Sequence, residues 1–82
     1  MGLFSRTFRP KVLHDFGEIT SGREGLAKFR LSLSLIDDQG VKYLRFARKA
    51  VAPGAFGVTY TFIPEDDFGT LKAAVDAACE AT

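Results

Sequence analysis

The sequence predicts an α+β fold in which a four-stranded antiparallel meander is followed by one C-terminal helix packed on one face of the sheet (β-β-β-β-α). Two observations predict it. Apolar and polar residues alternate with a period of two in successive runs across residues 11–63, and the period lengthens to that of a helix after Pro64. The 82 residues fit one domain, with an arm at residues 1–10, the sheet at 11–63 and the helix at 65–80.

The first strand is predicted over residues 11–19, where Val12, His14 and Phe16 alternate with their neighbours. Residues 20–25, TSGREG, are rich in turn-forming residue types. We therefore expect them to form a turn or loop that enters the second strand.

The second and third strands form the clearest pair. Residues 28–36, KFRLSLSLI, alternate without interruption, and residues 41–51, VKYLRFARKAV, alternate around Leu44 and Phe46. The turn-rich cluster DDQG lies between them and ends in glycine. Together the two runs predict a β-hairpin.

A fourth strand is predicted over residues 55–63, between Pro53-Gly54 and Pro64. Aromatic and β-branched residues dominate this run, as they do in strands. We expect its larger side chains to join the apolar sheet face that the helix covers. The residues expected on that face are Phe29, Leu31, Leu33, Leu35, Leu44, Phe46, Phe56, Val58, Tyr60 and Phe62.

The helix is predicted from an apolar stripe of Phe68, Leu71, Val75 and Ala78 or Cys79. Three consecutive acids open it, and carboxylates in a first turn favour the positive end of the helix dipole. We expect the stripe to pack on the apolar face of the sheet.

The opposite sheet face is expected to be basic and hydroxylated, with one aromatic residue and no acid. Residues 1–50 hold ten basic and five acidic residues, whereas residues 51–82 hold one basic and five acidic residues. The net charge of +1 therefore combines +5 in the first part with −4 in the second. The residues expected on this face are Lys28, Arg30, Ser32, Ser34, Tyr43, Arg45, Ala47, Lys49, Gly57, Thr59 and Thr61.

Such a face suits single-stranded nucleic acid, because cations neutralise phosphates and an exposed aromatic ring can stack on a base. The same charges suit solvation or protein contact, and the pattern alone leaves these alternatives open. In the second reading the chain is an accessory subunit that docks on a larger protein assembly. It would dock through this face or through an arm carrying Leu3, Phe4 and Phe8. A short chain with an incompletely covered sheet also predicts association, as a homodimer or as a subunit.

Catalysis, cofactor binding and metal binding are not expected. The adjacent His14 and Asp15 point to opposite faces of a strand, and Cys79 lies on or beside the helix stripe, where a buried, inert thiol is expected. One histidine and one cysteine are too few for a tetrahedral zinc site. The single cysteine excludes an internal disulfide and favours a reducing compartment, so we expect a cytoplasmic protein without a transmembrane segment.

Residues 28–78 resemble the PUR repeat of purine-rich-element-binding proteins. The likeness rests on the runs KFRLSLSLIDDQGVKYLRFARKA and GVTYTFIPEDDFGTLKAAVDAA, which look like that repeat's hairpin and its last strand running into a helix. The transcriptional positive cofactor 4 family and the plant Whirly proteins have a similar design. The near-neutral charge and acidic helix of this chain depart from those families.

The resemblance implies that the sheet binds single-stranded DNA or RNA. It also implies a homodimer, because two repeats or two subunits pair in those families. Carried over onto the hairpin, it implies that the binding residues are Lys28, Arg30, Tyr43, Arg45 and Lys49.

Overall fold

Four antiparallel strands and a helix make up the described part of the chain, which in this computed structural model is residues 10–82. The strands are β1 (Lys11–Glu24), β2 (Ala27–Asp38), β3 (Val41–Ala52) and β4 (Ala55–Pro64). Each strand pairs with the next, so the sheet is a meander with β1 and β4 at its edges. A 3-10 turn, Glu65–Asp67, leads into α1, Phe68–Ala81. The predicted β-β-β-β-α order is confirmed.

Two-residue turns join the strands. They are Gly25-Leu26, Gln39-Gly40 and Pro53-Gly54. At the middle turn φ is 55° at Gln39 and 86° at Gly40, a pair of left-handed residues that matches the twist of a tight hairpin. Because each turn is so short, it sets the register of the strands on either side of it.

The first hairpin is tighter than predicted. Residues 20–24 pair with β2 residue by residue, so only Gly25 and Leu26 turn, and the expectation of a TSGREG turn or loop was wrong. Gly25 supplies a φ of 61°, and one such glycine is enough to reverse the chain. Polar composition signalled a loop here, but an edge strand carries polar residues equally well.

β1 is bulged at regular intervals, and this changes its predicted pattern. The register shifts between Val12 and His14, between Asp15 and Gly17, and again three residues further on. Val12 lies opposite Ile36 and His14 opposite the adjacent Leu35, so Val12 and His14 do not share a face as an unbroken alternation requires. Bulges add twist to an edge strand and hinder its pairing with another chain.

The helix forms as predicted but does not cover the sheet. Phe68 and Leu71 are half-buried, and every residue from Lys72 onward is exposed, including Val75 at 53%. The helix contacts the 3-10 turn before it and makes little contact with the strands. The expectation that the helix stripe packs across one sheet face is therefore not met within a single chain.

Little of the chain is fully buried. Ile36 is the one hydrophobic side chain of residues 10–82 that is fully buried, with no exposed area. An open four-stranded sheet has two faces, and a helix that makes little contact with the strands leaves most of both accessible. The single chain therefore lacks the continuous core that two packed layers normally share.

We expect Gly40→Ala to lower the free energy of unfolding by about 1–2 kcal/mol, because a Cβ disfavours the left-handed conformation of this turn. Gly57→Ala is the matched control. Gly57 lies in β4 without a positive φ, and an added Cβ there meets nothing within 4 Å. Urea unfolding at one fixed protein concentration measures both variants, and equal destabilisation would contradict the turn geometry.

Candidate functional site

The register of β2 against β3 brings the predicted site residues onto one face. Residues directly opposite each other in a ladder present their side chains on the same side of the sheet. Arg30 lies opposite Lys49, and Lys28 and Arg45 follow two and four residues from these along their strands. Tyr43 lies opposite Ile36, on the same side. All five residues proposed from the hairpin therefore share a face.

The aromatic side chains of β4 lie on this same face, whereas the sequence predicts them on the opposite face. Tyr60 pairs with Ala47, and Phe62 pairs with Arg45. Phe56 and Val58 follow the same alternation. The expectation that these four β4 residues lie under the helix, with the small β4 residues opposite, was therefore wrong.

The signal that predicts this register was present in the sequence. A two-residue turn at Pro53-Gly54 pairs Ala52 with Ala55, and counting back along both strands then places Tyr60 opposite Ala47. Hydrophobicity alone predicts that the β4 rings lie on the opposite face, because large apolar side chains are expected to pack against a helix.

We call the resulting surface the basic-aromatic face. Its members come from the three strands β2, β3 and β4, and they combine cations with aromatic rings. They are Lys28, Arg30, Tyr43, Arg45, Lys49, Phe56, Tyr60 and Phe62.

Three of the four rings of the basic-aromatic face form a connected row. The Tyr60 and Phe62 centroids lie 6.2 Å apart with planes 29° from parallel. Tyr43 meets Phe62 edge-on at 6.3 Å. The Arg45 guanidinium carbon lies 5.6 Å from the Tyr60 centroid, and its Nε donates a hydrogen bond of 3.3 Å to the Ser34 hydroxyl. Arg45 is thus held beside the rings by two contacts.

The rings remain accessible to a ligand. Phe56 is 69% exposed, Tyr60 52% and Phe62 40%. Shallow depressions lie on the basic-aromatic face. One is bounded by Lys28, Lys49 and Phe56 among others, and a second lies by Tyr43 and Phe62. Exposed aromatic rings of this kind can accept a flat partner on their faces.

The face is not free of acids, contrary to the prediction. β1 places Asp15 and Glu18 on it, and Asp38 lies at the β2–β3 turn. The Arg30 Nε lies 3.5 Å from Glu18 Oε1, an exposed ion pair that contributes little. These acids lie toward the β1 side and one end, so the β3–β4 half carries cations and rings without a described acid.

The remaining predicted residues are those of the N-terminal arm and Cys79. Leu3, Phe4 and Phe8 lie outside the described residues. Cys79 is exposed, so the expectation of a buried thiol was wrong, because the helix that carries it stands away from the sheet. Residues 10–82 contain no group of three or more histidine, cysteine or acidic side chains placed to hold a metal ion.

Comparison with known proteins adds no relative. Neither family models, nor curated proteins, nor solved structures gave a match to this chain. Within the described residues, α1 is too short and too polar to cross a membrane.

The β4 register predicts specific proximities in solution. We expect nuclear Overhauser contacts between the Tyr60 ring and the Ala47 methyl group, because these residues pair directly across β3 and β4. The Thr61 methyl group should contact Phe46 on the other face and serves as the control. A Tyr60 contact to Phe46 in place of Ala47 would show the opposite register.

Proposed function

We propose that this chain binds single-stranded nucleic acid through the basic-aromatic face. The observation that carries the proposal is the placement of the β4 rings beside the β2 and β3 cations. On the hairpin alone the face has one aromatic residue, Tyr43, whereas with β4 it has four. Single-strand binding combines a positively charged track with several stacking platforms, and this face has both.

Three cations of the basic-aromatic face are available to phosphates. Within residues 10–82 the salt bridges join Arg30 to Glu18, Arg48 to Glu24 and Lys72 to Asp76. None of these salt bridges includes Lys28, Arg45 or Lys49. The charges of these three side chains can therefore pair with the phosphates of a ligand. Each phosphate that such a cation neutralises releases condensed counterions, which favours binding at low salt.

The rings favour an unpaired strand over a duplex. Bases in a duplex already stack on each other and present only their edges in the grooves. The broad outer surface of a sheet cannot enter a groove as a single helix does. The splayed bases of a single strand can instead stack on the exposed rings of Tyr60 and Phe62. Serine hydroxyls near the cations, such as that of Ser32, can bond to phosphate or sugar oxygens.

The proposed activity is binding without catalysis. The competing function is an accessory subunit that docks on a protein assembly through the same face. Exposed apolar area at Phe56 favours it, because such area also suits a protein partner. A pull-down from the source cell with and without nuclease separates the two, since a direct protein partner survives the nuclease.

The cations are tested by paired variants on one strand. We expect Arg45→Ala with Lys49→Ala to weaken binding of a short single-stranded oligonucleotide and to reduce the slope of log K against log salt by about 1.4, because two phosphate contacts are lost. Lys42→Ala with Arg48→Ala removes the same charge from β3 but from the opposite face. Fluorescence anisotropy across a salt series measures both pairs.

The control pair should retain most of the affinity and the slope. Equal losses in both pairs would show that net charge, not the face, attracts the strand. Absence of wild-type binding at low salt would refute the proposed function outright.

Stacking is tested at Tyr60 by two conservative variants. We expect Tyr60→Leu to weaken oligonucleotide binding about 5- to 150-fold, which corresponds to about 1–3 kcal/mol for one lost stack. Tyr60→Phe keeps the ring and should bind like the wild type. Anisotropy at constant salt measures both, and equal binding by the leucine variant would show that the site uses apolar area without stacking.

A further inference from the structure

The end of the basic-aromatic face nearest the β2–β3 turn is recessed. The recess has a volume of about 220 Å³ and is lined by Ile36, Asp38, Tyr43 and Phe62. The two buried residues of the described chain, Ile36 and Ser34, follow each other on this side of β2. A group that enters the recess therefore loses more of its contact with water than one that lies on the open sheet.

The walls of the recess are largely aromatic. The Tyr43 and Phe62 rings have centroids 6.3 Å apart and planes at 81° to each other. Because the two rings are nearly perpendicular, a base that stacks on one of them meets the other at its side, which restricts how the base is oriented. The volume is below the roughly 300–1,000 Å³ of pockets for drug-sized ligands, so the recess suits one small flat group.

Asp38 is the polar residue of the recess. It pairs with Val41, two residues beyond Ile36 and so on the same side of β2. Its side chain is half-buried, and none of the salt bridges within residues 10–82 includes it. The neighbouring Asp37 accepts the hydrogen bond of the turn, from the Gly40 amide at 2.8 Å. The Asp38 carboxylate is therefore not committed to the turn and can accept hydrogen bonds from a ligand.

A carboxylate beside a stacked base distinguishes one base from another. An ionised carboxylate only accepts hydrogen bonds. Cytosine carries an amino group at C4, which donates to it, whereas thymine and uracil carry a carbonyl oxygen there, which leaves two acceptors facing each other. The negative charge also repels phosphate, so it favours entry of the base and keeps the backbone outside the recess.

We propose that Asp38 sets a base preference of the basic-aromatic face. The recess selects a base with an exocyclic amino group, and among pyrimidines it selects cytosine over thymine and uracil. The proposal rests on the proposed function, because it requires a strand bound on this face. Lys28 and Lys49 lie toward the opposite end of the β2–β3 hairpin, where they attract the backbone of any sequence.

The test compares short oligonucleotides of deoxycytidine and deoxyuridine, whose bases differ only at C4 and N3. Fluorescence anisotropy at neutral pH and constant low salt should show that the wild type binds deoxycytidine about 10-fold more tightly. This is near the lower end for a hydrogen bond to a charged group, because the recess is open on one side. Asp38→Asn should bind both oligonucleotides alike, because an amide both donates and accepts.

Glu18→Gln is the matched control. It removes the same charge from the same face but outside the recess, opposite Ser32 on β2. Its affinity for both oligonucleotides should rise together, because one repulsive charge is lost, and the preference for deoxycytidine should stay at the wild-type value.

A third oligonucleotide tests the same contact without changing the protein. It contains 2-pyrimidinone, which lacks both the amino group and the carbonyl oxygen at C4. The wild type should bind it more weakly than deoxycytidine, because the donor is missing. If circular dichroism shows that Asp38→Asn does not fold, this comparison decides.

The outcomes separate the base preference from the proposed function. Equal binding of deoxycytidine and deoxyuridine by the wild type would overturn the role of Asp38 and leave the proposed function in place. Three other results would overturn that role as well: a preference retained in Asp38→Asn, a preference equally lost in Glu18→Gln, and 2-pyrimidinone bound as tightly as cytosine. No binding of any oligonucleotide at low salt would refute the proposed function and this role together.

Discussion

The register set by two-residue turns is the constraint on which the rest of this structure depends. A turn of that length leaves no slack, so the residues on its two sides must pair directly. At Pro53-Gly54 it pairs Ala52 with Ala55, and every later β4 residue is then committed to one face. A shift by one residue would exchange the rings with Thr59 and Thr61 and would leave the cations beside threonines.

The two faces of the sheet follow from that register and differ in kind. One combines cations with exposed rings, and the other carries the leucine and phenylalanine side chains of β2 and β3 together with Arg48. An antiparallel sheet with one apolar face requires a second layer, and in this chain α1 does not supply it. The acids of the 3-10 turn and α1 follow the cations of the strands in the sequence. The near-zero net charge therefore conceals a separation of positive from negative charge along the chain.

Much of the fold could be predicted from sequence because local rules set it. Strict alternation identified β2 and β3, and glycine at the turns marked where they end. The five hairpin residues of the site share a face because alternation along one strand and a short turn suffice to place them. The bulges in β1 could not be predicted in this way, since Leu13 and Phe16 read equally well as members of an unbroken alternation.

The sequence by itself determined the element order, the turns and the alternation within β2 and β3, because these depend on residues near each other in the chain. Only the tertiary structure decided which side of β4 joins the cations and whether the helix covers the sheet. Both depend on how separate elements meet. Phe56, Tyr60 and Phe62 are apolar enough for a core, yet hydrogen-bonded pairing to β3 places them beside Arg45 and Lys49.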